Sequence, residues 1–414
     1  MTLGVGGKTF DQALSILSNM TDSAESIKYE EYLERISRAQ AYMQQHNIAA
    51  IYLNAGTNLY YFTGTRWYAS ERMVGAILPA NGPLQYIAPV FEISTLQEYM
   101  LVKGEVQGWQ EHENPYQLFI DILDEADLGK QTSMAFSEVK PQIGLCESSA
   151  FFIVDGITKL ASNYDIINAS QVTAFCRSRK SVNEIALMQI AKNMTLEVHK
   201  ATASILYEGI STTEVEAFIK QAHKRVGASG SYFVIVLFGE ATAYPHGVKE
   251  PQVLKLNDMV LIDTGCVVES YISDITRTYV FGEPNTRQTE IWNYEKSAQQ
   301  AAFSAAQLGV TCAEVDAAAR SDLLSNGLGP GYELPGLPHR TGHGIGLDIH
   351  EWPYLVASDE TVLATGMCFS NEPMICIPGE FGVRHEDHFY MTSDGPKWFT
   401  EPSISIEDPF NSEN

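Results

Sequence analysis

A glycine-rich segment late in the chain, HRTGHGIGLDIHEWPY at residues 339–354, holds three of the ten histidines: His339, His343 and His350. Imidazole nitrogens bind metals and transfer protons near neutral pH. Glycines let a backbone pass close to other groups, so TGHGIG can place His343 where a bulkier segment could not. A single histidine is more often a packed core residue than a ligand, so a site here requires partners elsewhere in the chain.

Four carboxylates in apolar surroundings are the candidate partners. MVLIDTGCVVESYISDITRTYVFG predicts two strands around a glycine-containing turn, with Asp263 and Asp274 among apolar residues. MCFSNEPMICIPGEFGVRHEDHFYMT repeats this pattern, and we expect Glu372 and Glu386 to lie on its apolar strands. Acidic residues are depleted in strands, and a buried carboxylate is costly unless it is paired or binds a metal.

Each acid has a simpler interpretation when it is taken alone. Asp263 could cap a turn, and Asp274 could pair with Arg277. Glu386 could pair with Arg384. Four such acids in two matching hairpins, with a histidine between them, are harder to explain in this way, because burying them together is costly unless positive charge is present. Two divalent cations would supply that charge.

The set of ligands predicts the class of metal. Four carboxylates and one imidazole suit Mn, Co, Fe or Zn, and bridging carboxylates can hold two such ions about 3.5–4 Å apart. A water shared between two cations loses a proton near neutral pH and becomes a nucleophile, which predicts hydrolysis of an amide or ester. The sequence contains no GxSxG segment that would offer a serine nucleophile instead.

An internal similarity indicates a duplication that would bring the two pairs of acids together. The two similar segments are EGISTTEVEAF, which begins at residue 208, and LGVTCAEVDAA, which begins at residue 308. They align at an offset of 100 residues, and each has a glycine before a capping box that begins a helix. Each is followed by β-rich segments. We therefore expect a pseudo-twofold α+β domain with helices on one side and a curved antiparallel sheet on the other. Chance similarity of two helix starts is the alternative.

The preceding residues predict a separate, smaller α/β domain. AAIYLNAG reads as a short strand, and the apolar runs MVGAILPA, LQYIAPVF, SMAFSE and FFIVDGI continue the α/β pattern. A capping box at Ser181 and Glu184 opens the next long helix, so we divide the chain into domains 1–172 and 173–414. Before AAIYLNAG, the segment IKYEEYLERISRAQAYMQQHNI places four apolar residues on one helical face: Leu33, Ile36, Ala39 and Met43.

Composition excludes several classes of protein. The chain has 414 residues, of which 45% are hydrophobic, enough for two globular cores. Its formal charge of −24 disfavours nucleic acid or an anionic membrane as a partner. No apolar run resembles a signal peptide or approaches the roughly 20 residues of a membrane span. The six cysteines form no CxxC pair, as is typical of reduced thiols, so we expect a cytoplasmic protein.

The motifs resemble, in order, those of the pita-bread metallopeptidase family, which includes methionine aminopeptidases, aminopeptidase P and prolidase. The matching segments are YPHG, DTG, SDITRT, HRTGHGIGLDIHE, NEP and GVRHED. The resemblance implies five metal ligands: Asp263, Asp274, His343, Glu372 and Glu386. It also implies that His246 and His339 line the substrate site, with a catalytic role for His246. By the same resemblance His350 hydrogen-bonds the substrate carbonyl or the tetrahedral intermediate, Glu372 doubles as a proton shuttle, and Arg384 orients the adjoining site.

The two-domain layout and the segment HRTGHGIGLDIHEWP look like prolidases and short aminopeptidase P proteins. That resemblance implies a pita-bread catalytic domain after a creatinase-type N-terminal domain, and a homodimer. It implies cleavage of Xaa-Pro bonds by a metal-bridged hydroxide in a small peptide with proline at the second position. We favour a dipeptidase (prolidase) over aminopeptidase P, and Mn over Co, Zn or Fe. A non-peptide C–N hydrolase or lyase and a non-catalytic binding scaffold are the further alternatives.

Some residues depart from the family pattern. His385 and His388 surround Glu386, where relatives usually have an apolar residue and a non-histidine. We expect both histidines to face outward, and an altered metal preference is the alternative. Tyr354 stands where some prolidases place an arginine, which leaves recognition of a dipeptide's C-terminal carboxylate open.

Overall fold

A computed structural model of the chain describes residues 2–126 and 140–412. It contains two compact units, Ile27–Arg177 and Met1–Ser26 together with Ser178–Asn414. The predicted segment SMAFSE lies outside the described residues. Among the residues described, no helix is both long and apolar enough to cross a membrane.

The first 26 residues pack with the later unit, whereas the sequence division places them in a domain of residues 1–172. They include a short helix, α1 (Phe10–Ser15), whose Phe10 ring lies 5.2 Å from the ring of Phe218. The amide of Thr2 donates to the carbonyl of Gly282, and the amide of Leu3 donates to that of Glu407. The stretch has no strong apolar period, so its attachment depends on long-range contacts that the local sequence does not indicate.

The unit Ile27–Arg177 contains a six-stranded mixed sheet. The strand order is β4-β3-β2-β1-β5-β6, with β2 antiparallel to both neighbours and the other pairs parallel. Its strands are β1 (Ile48–Asn54), β2 (Gly75–Pro79), β3 (Gln85–Pro89), β4 (Glu105–Trp109), β5 (Gln142–Leu145) and β6 (Asp165–Asn168). Its helices are α2 (Tyr29–Gln45), α3 (Thr57–Thr63), α4 (Ile93–Tyr99), α5 (Pro115–Glu125), α6 (Phe151–Leu160) and α7 (Ser170–Ser178).

The predicted α/β character of this unit is confirmed, with one error of detail. AAIYLNAG forms β1, and FFIVDGI begins α6. Helix α2 forms as predicted, but Leu33 is 42% exposed, whereas Tyr32 and Arg35 are buried. Arg35 is buried because its guanidinium donates to the carbonyl of Tyr61 and stacks on the Tyr61 ring. The buried face of α2 therefore includes Tyr32 and Arg35 instead of Leu33.

The later unit joins long helices to antiparallel sheets, as predicted. Its helices are α8 (Val182–Ser204), α9 (Thr212–Arg225), α10 (Thr286–Ala305) and α11 (Cys312–Ser325). One sheet contains β7 (Ser231–Phe238), β8 (Met259–Val268), β9 (Tyr271–Ile272) and β10 (Ile275–Val280). A second contains β11 (Gly342–Gly344), β12 (Glu351–Leu355), β13 (Cys368–Asn371), β16 (Asp387–Thr392) and β17 (Gly395–Trp398), and a two-stranded sheet contains β14 (Met374–Ile377) and β15 (Phe381–Arg384).

The two similar segments adopt the same local geometry. Helix α9 is capped by Ser211 with Glu214, and helix α11 by Thr311 with Glu314, each through a complete capping box. The preceding glycines both have positive φ, +100° and +89°, which favours glycine over other residues. The cap of each helix also pairs with a segment about 40–50 residues later, Ser211 with Val253 and Thr311 with Val362. These shared features support the duplication.

The two halves meet where β10 faces the end of β15 and the start of β16. Thr276 forms a bridge with Glu386, and the Arg277 guanidinium binds Asp387 through two nitrogens at 2.7 and 3.2 Å. Both charged groups are buried, and Thr400 donates to the same Asp387 carboxylate. The simpler pairing of Asp274 with Arg277 is therefore wrong, because Asp387 takes the guanidinium.

We expect Asp387→Ala to lower the free energy of unfolding by about 3–5 kcal/mol, because it leaves the Arg277 charge buried without its partner. Urea denaturation followed by circular dichroism measures this loss. Arg277→Met combined with Asp387→Leu should cost less than Asp387→Ala alone, since no charge is left behind. Glu197→Ala, which removes an exposed pair with Lys200, is the control and should cost under about 1 kcal/mol. A loss for Asp387→Ala no larger than that of the control would contradict this assignment.

Candidate metal centre

Asp263 lies in the middle of β8, with its side chain almost fully buried. One of its oxygens, Oδ2, accepts a hydrogen bond of 2.6 Å from Nη2 of Arg384. The other, Oδ1, has no hydrogen-bond partner among the described residues. Asp263 therefore does not cap a turn, and Arg384 pairs with it and not with Glu386.

Asp274 lies one residue before β10, a strand in which Thr276 pairs with Asp263 of β8. It is buried, and its Oδ1 has no hydrogen-bond partner among the described residues. Its Oδ2 lies 3.8 Å from Nε2 of His343. The first half of the unit thus supplies two neighbouring carboxylates, as the sequence predicts.

His343 occupies the centre of β11, between two glycines. Its Nδ1 donates to the carbonyl of Gly344 at 2.9 Å, which leaves the Nε2 lone pair free to bind a metal. A Cβ at Gly342 would lie 2.1 Å from the carbonyl oxygen of Ser370, and one at Gly344 would lie 2.5 Å from that of Glu351. The glycines are thus needed for close packing of β11 between its neighbouring strands.

Glu372 and Glu386 approach His343 from the second half. Glu372 Oε1 lies 3.3 Å from His343 Nε2, and atoms of Asp274, His343 and Glu386 all lie within 4.8 Å of one another. The expectation that both glutamates lie on apolar strands is wrong in detail. Glu372 lies between β13 and β14, and Glu386 lies between β15 and β16. These interruptions free the side chains from the regular alternation of a strand.

The proximity of these acids raises their affinity for protons. Burial raises the pKa of Asp274 well above its usual value, and Asp263 and Glu372 add to this effect. Burial likewise raises the pKa of Glu386, with Asp274 and Glu372 contributing. Burial raises the pKa of Glu372 to about 7, although Arg384 opposes the rise. The cluster therefore lacks enough positive charge of its own to hold every carboxylate in its ionised form.

The residues present fit divalent cations. Four carboxylates and one imidazole with its Nε2 free converge, and this donor set suits borderline ions such as Mn, Co, Fe or Zn. Oxygens of Asp263, Asp274 and Glu386 are buried without a hydrogen-bond partner among the described residues. Buried acceptors are rarely left unsatisfied, so their convergence indicates a cation position.

The three further histidines lie around this cluster. The ring centroids of His350 and His343 are 4.3 Å apart, and His350 is exposed. Partial burial lowers the pKa of His350, with contributions from Arg340 and His246. Burial lowers the pKa of His339 to about 4, and Arg384 and His246 add to this. His246 contributes to the lowered pKa of both His339 and His350, so the three histidines lie near one another.

Arg384 connects the cluster to the segment that carries His246. In addition to its bond with Asp263, it donates from Nη1 to the carbonyl of Pro245 at 3.2 Å. Its Nε donates to the hydroxyl of Thr276 at 3.1 Å. The arginine therefore orients one acid and one neighbouring loop at the same time.

The expectation that His385 and His388 face outward is wrong, because both are buried. His385 lies 3.2 Å from Glu295 and packs against the ring of Trp292. Nε2 of His388 lies 3.8 Å from Oε1 of Glu386. His385 lies in the short interval between β15 and β16, and His388 lies on β16 itself. No apolar period in VRHEDHF indicates that both side chains are buried.

Sequence reasoning did not identify three polar residues close to the site. Asp316 on α11 accepts from both the amide and the hydroxyl of Thr341, and so fixes the start of β11. Lys192 on α8 is fully buried and influences Asp274 and Glu386 electrostatically. Arg340 stacks on the ring of Tyr354, with 4.4 Å between its guanidinium carbon and the ring centroid. A charged residue within an apolar helical face was the available signal for Lys192.

Comparison with known proteins agrees with this geometry. Residues 186–393 match the metallopeptidase family M24, and residues 35–179 match the creatinase/prolidase N-terminal domain. A probable dipeptidase PepE of Mycobacterium bovis is 33% identical over 369 residues, which cover 88% of this chain and 93% of that protein. A putative dipeptidase YkvY of Bacillus subtilis is 30% identical over 371 residues, covering 89% and 98%.

Solved structures give the same result. The dipeptidase PepE from Mycobacterium ulcerans superposes with a TM-score of 0.81 at 31% identity, covering 91% of this chain and 97% of that one. A prolidase from Thermococcus sibiricus superposes with a TM-score of 0.78 at 29% identity, covering 91% and 98%. The chain belongs to metallopeptidase family M24, with a creatinase-type N-terminal domain before its pita-bread domain.

Proposed function

We propose that this chain is a dipeptidase that uses two divalent metal ions to hydrolyse Xaa-Pro dipeptides. The observation that carries the proposal is the convergence of Asp274, Glu372 and Glu386 on the Nε2 side of His343. Asp263 lies close enough to Asp274 to raise its pKa. Similarity over nearly the whole length to chains described as dipeptidase and prolidase supports a dipeptide substrate. A further similar structure is described as an Xaa-Pro dipeptidase from Bacillus anthracis, at 27% identity.

Five side chains would hold the metal ions. When bound, the ions supply a nucleophile at neutral pH and polarise the carbonyl that is attacked. Mn is the first candidate, since the donor set is rich in carboxylates and contains no thiolate. The proposed ligands are Asp263, Asp274, His343, Glu372 and Glu386.

The surrounding residues would bind the peptide and move protons. His350, which is exposed beside His343, would donate a hydrogen bond to the substrate carbonyl oxygen. Glu372, whose side chain is 14% exposed, would accept a proton and deliver it to the leaving nitrogen of proline. His246 and His339 would line the pocket for the substrate, with His246 also assisting catalysis. Arg384 would keep Asp263 and the loop before His246 in position.

An Xaa-Pro bond requires such a dedicated pocket. Its nitrogen carries no hydrogen and belongs to a rigid ring, so a site that binds ordinary peptide N–H groups gains nothing from it. We further propose that the protein acts in the cytoplasm and as a homodimer. The retention of all five donor side chains favours hydrolysis over a non-catalytic scaffold role.

We expect the protein, stripped by a chelator and reloaded with Mn, to release proline from Met-Pro. Amino-acid analysis or a ninhydrin assay for free proline measures the rate, and Co and Zn are tested in parallel. Met-Ala is the control dipeptide and should be cleaved more slowly. Cleavage of an Xaa-Pro-Yaa tripeptide as fast as Met-Pro would identify an aminopeptidase P instead. No cleavage of any Xaa-Pro peptide with any of these metals would refute the proposal.

Asp274→Asn and His343→Ala should each reduce the rate of Met-Pro cleavage by at least about 1000-fold, since each removes a ligand and disturbs the nucleophile. Mass-spectrometric metal analysis after dialysis should find about two ions per wild-type chain and fewer in either variant. Asp394→Asn, at an exposed turn between β16 and β17, is the control and should retain both metal and activity. Full metal content in both ligand variants would contradict the assigned centre.

A further inference from the structure

Arg340 has no acidic side chain within ion-pair distance among the residues that the structure describes, although its charge opposes the rise in the pKa of Glu372. It is only half-buried, and no ion pair or side-chain hydrogen bond joins it to the residues that the structure describes. Two other arginines near the site are already engaged. Arg320 binds Asp316 at 2.8 Å, and Arg384 binds Asp263 at 2.6 Å. Arg340 is therefore the arginine of this group that is available to an anionic ligand.

The aromatic ring of Tyr354 holds Arg340 in place. The guanidinium carbon lies 4.4 Å from the ring centroid, a distance typical of cation–π stacking. Stacking occupies one face of the planar guanidinium and leaves the N–H groups at its edge free to donate. Those edge groups match the two oxygens of a carboxylate.

The position of Tyr354 places this stack beside the metal centre. Tyr354 lies opposite His343 in the antiparallel pair of β12 and β11. Directly opposed residues project from the same face of a sheet, so the tyrosine ring lies on the His343 side.

The length of an Xaa-Pro dipeptide fits this location. Its carboxylate lies one residue past the cleaved bond, about 3.5 Å along an extended chain. A cation that binds the carboxylate must therefore lie close to the groups that bind the cleaved bond. Arg340 meets this requirement through Tyr354, the residue on which it stacks and which lies opposite His343. A longer peptide has an uncharged amide at this point and would leave the guanidinium without its ion pair.

We propose that Arg340, held on the ring of Tyr354, binds the C-terminal carboxylate of the substrate and so selects dipeptides over longer peptides. This assignment rests on the proposed Xaa-Pro peptidase function and names the group that recognises the substrate's end.

The test compares Met-Pro with Met-Pro amide, which has the same cleaved bond and no terminal charge. The Mn-loaded wild type should cleave the acid about 10–100-fold more efficiently than the amide, as expected for a charge-assisted bidentate contact. Arg340→Met should lower kcat/KM for the acid by a similar factor, mainly through KM, and leave the amide within about threefold. Arg340→Lys should retain part of the preference for the acid over the amide. Lysine keeps the positive charge but cannot form the two parallel hydrogen bonds that a guanidinium makes with a carboxylate.

Two controls separate this role from general damage. Arg287→Met, on the surface of the same unit, changes the net charge equally and should leave the acid-to-amide ratio unchanged. Calorimetric titration with L-proline and L-prolinamide needs no turnover, and Arg340→Met should abolish the preference of the wild type for proline. An equal loss on acid and amide, or an unchanged ratio in Arg340→Met, would overturn the assignment to Arg340. Failure of the wild type to cleave any Xaa-Pro peptide would instead refute the proposed function, and this assignment with it.

Discussion

The burial of four carboxylates in one cluster is the constraint on which the rest of this unit depends. Like charges at short range in a medium of low dielectric repel strongly, and burial penalises each ionised group further. The pKa of Asp274 and that of Glu386 are both raised for these two reasons. A fold that brings such groups together needs cations at the centre and rigid support behind them.

The duplicated architecture supplies that support. Each half contributes two acids, and the halves are joined directly behind the cluster by the Thr276–Glu386 bridge and the Arg277–Asp387 ion pair. Arg277 and Asp387 neutralise each other, and Arg277 also donates to the backbone carbonyl of Glu386. They therefore hold Glu386 in position without forming an ion pair with its carboxylate. The closely packed glycines around His343 complete the arrangement by letting β11 lie between two neighbouring strands. Rigid strands and their ends, rather than mobile loops, thus hold the donor atoms.

The sequence predicts the parts of this arrangement that leave a local signal. An aspartate in an apolar run such as MVLIDTG is out of place in a strand unless it has a role, and paired capping boxes 100 residues apart mark the duplication. Contacts between residues that are far apart in the sequence leave no such local signal. The packing of residues 1–26 on the later unit, the inward turn of His385 and His388, and the stacking of Arg340 on Tyr354 are all of this kind. The apolar pattern of α2 places Leu33 on its buried face, but Leu33 is exposed, whereas Arg35, which donates to the carbonyl of Tyr61, is buried.

The central claim, that the carboxylate cluster is built to hold divalent cations, is tested most directly by the free energy of unfolding as a function of free Mn concentration. Urea denaturation of the chelated protein, repeated at increasing free Mn, gives this quantity. If the native cluster binds Mn and the unfolded chain does not, the free energy of unfolding should rise by about 2.7 kcal/mol for each ion bound, at a free concentration of 100 times its Kd. A free energy of unfolding that does not change with Mn, Co or Zn would contradict the claim, because the buried acids would then be stable without cations.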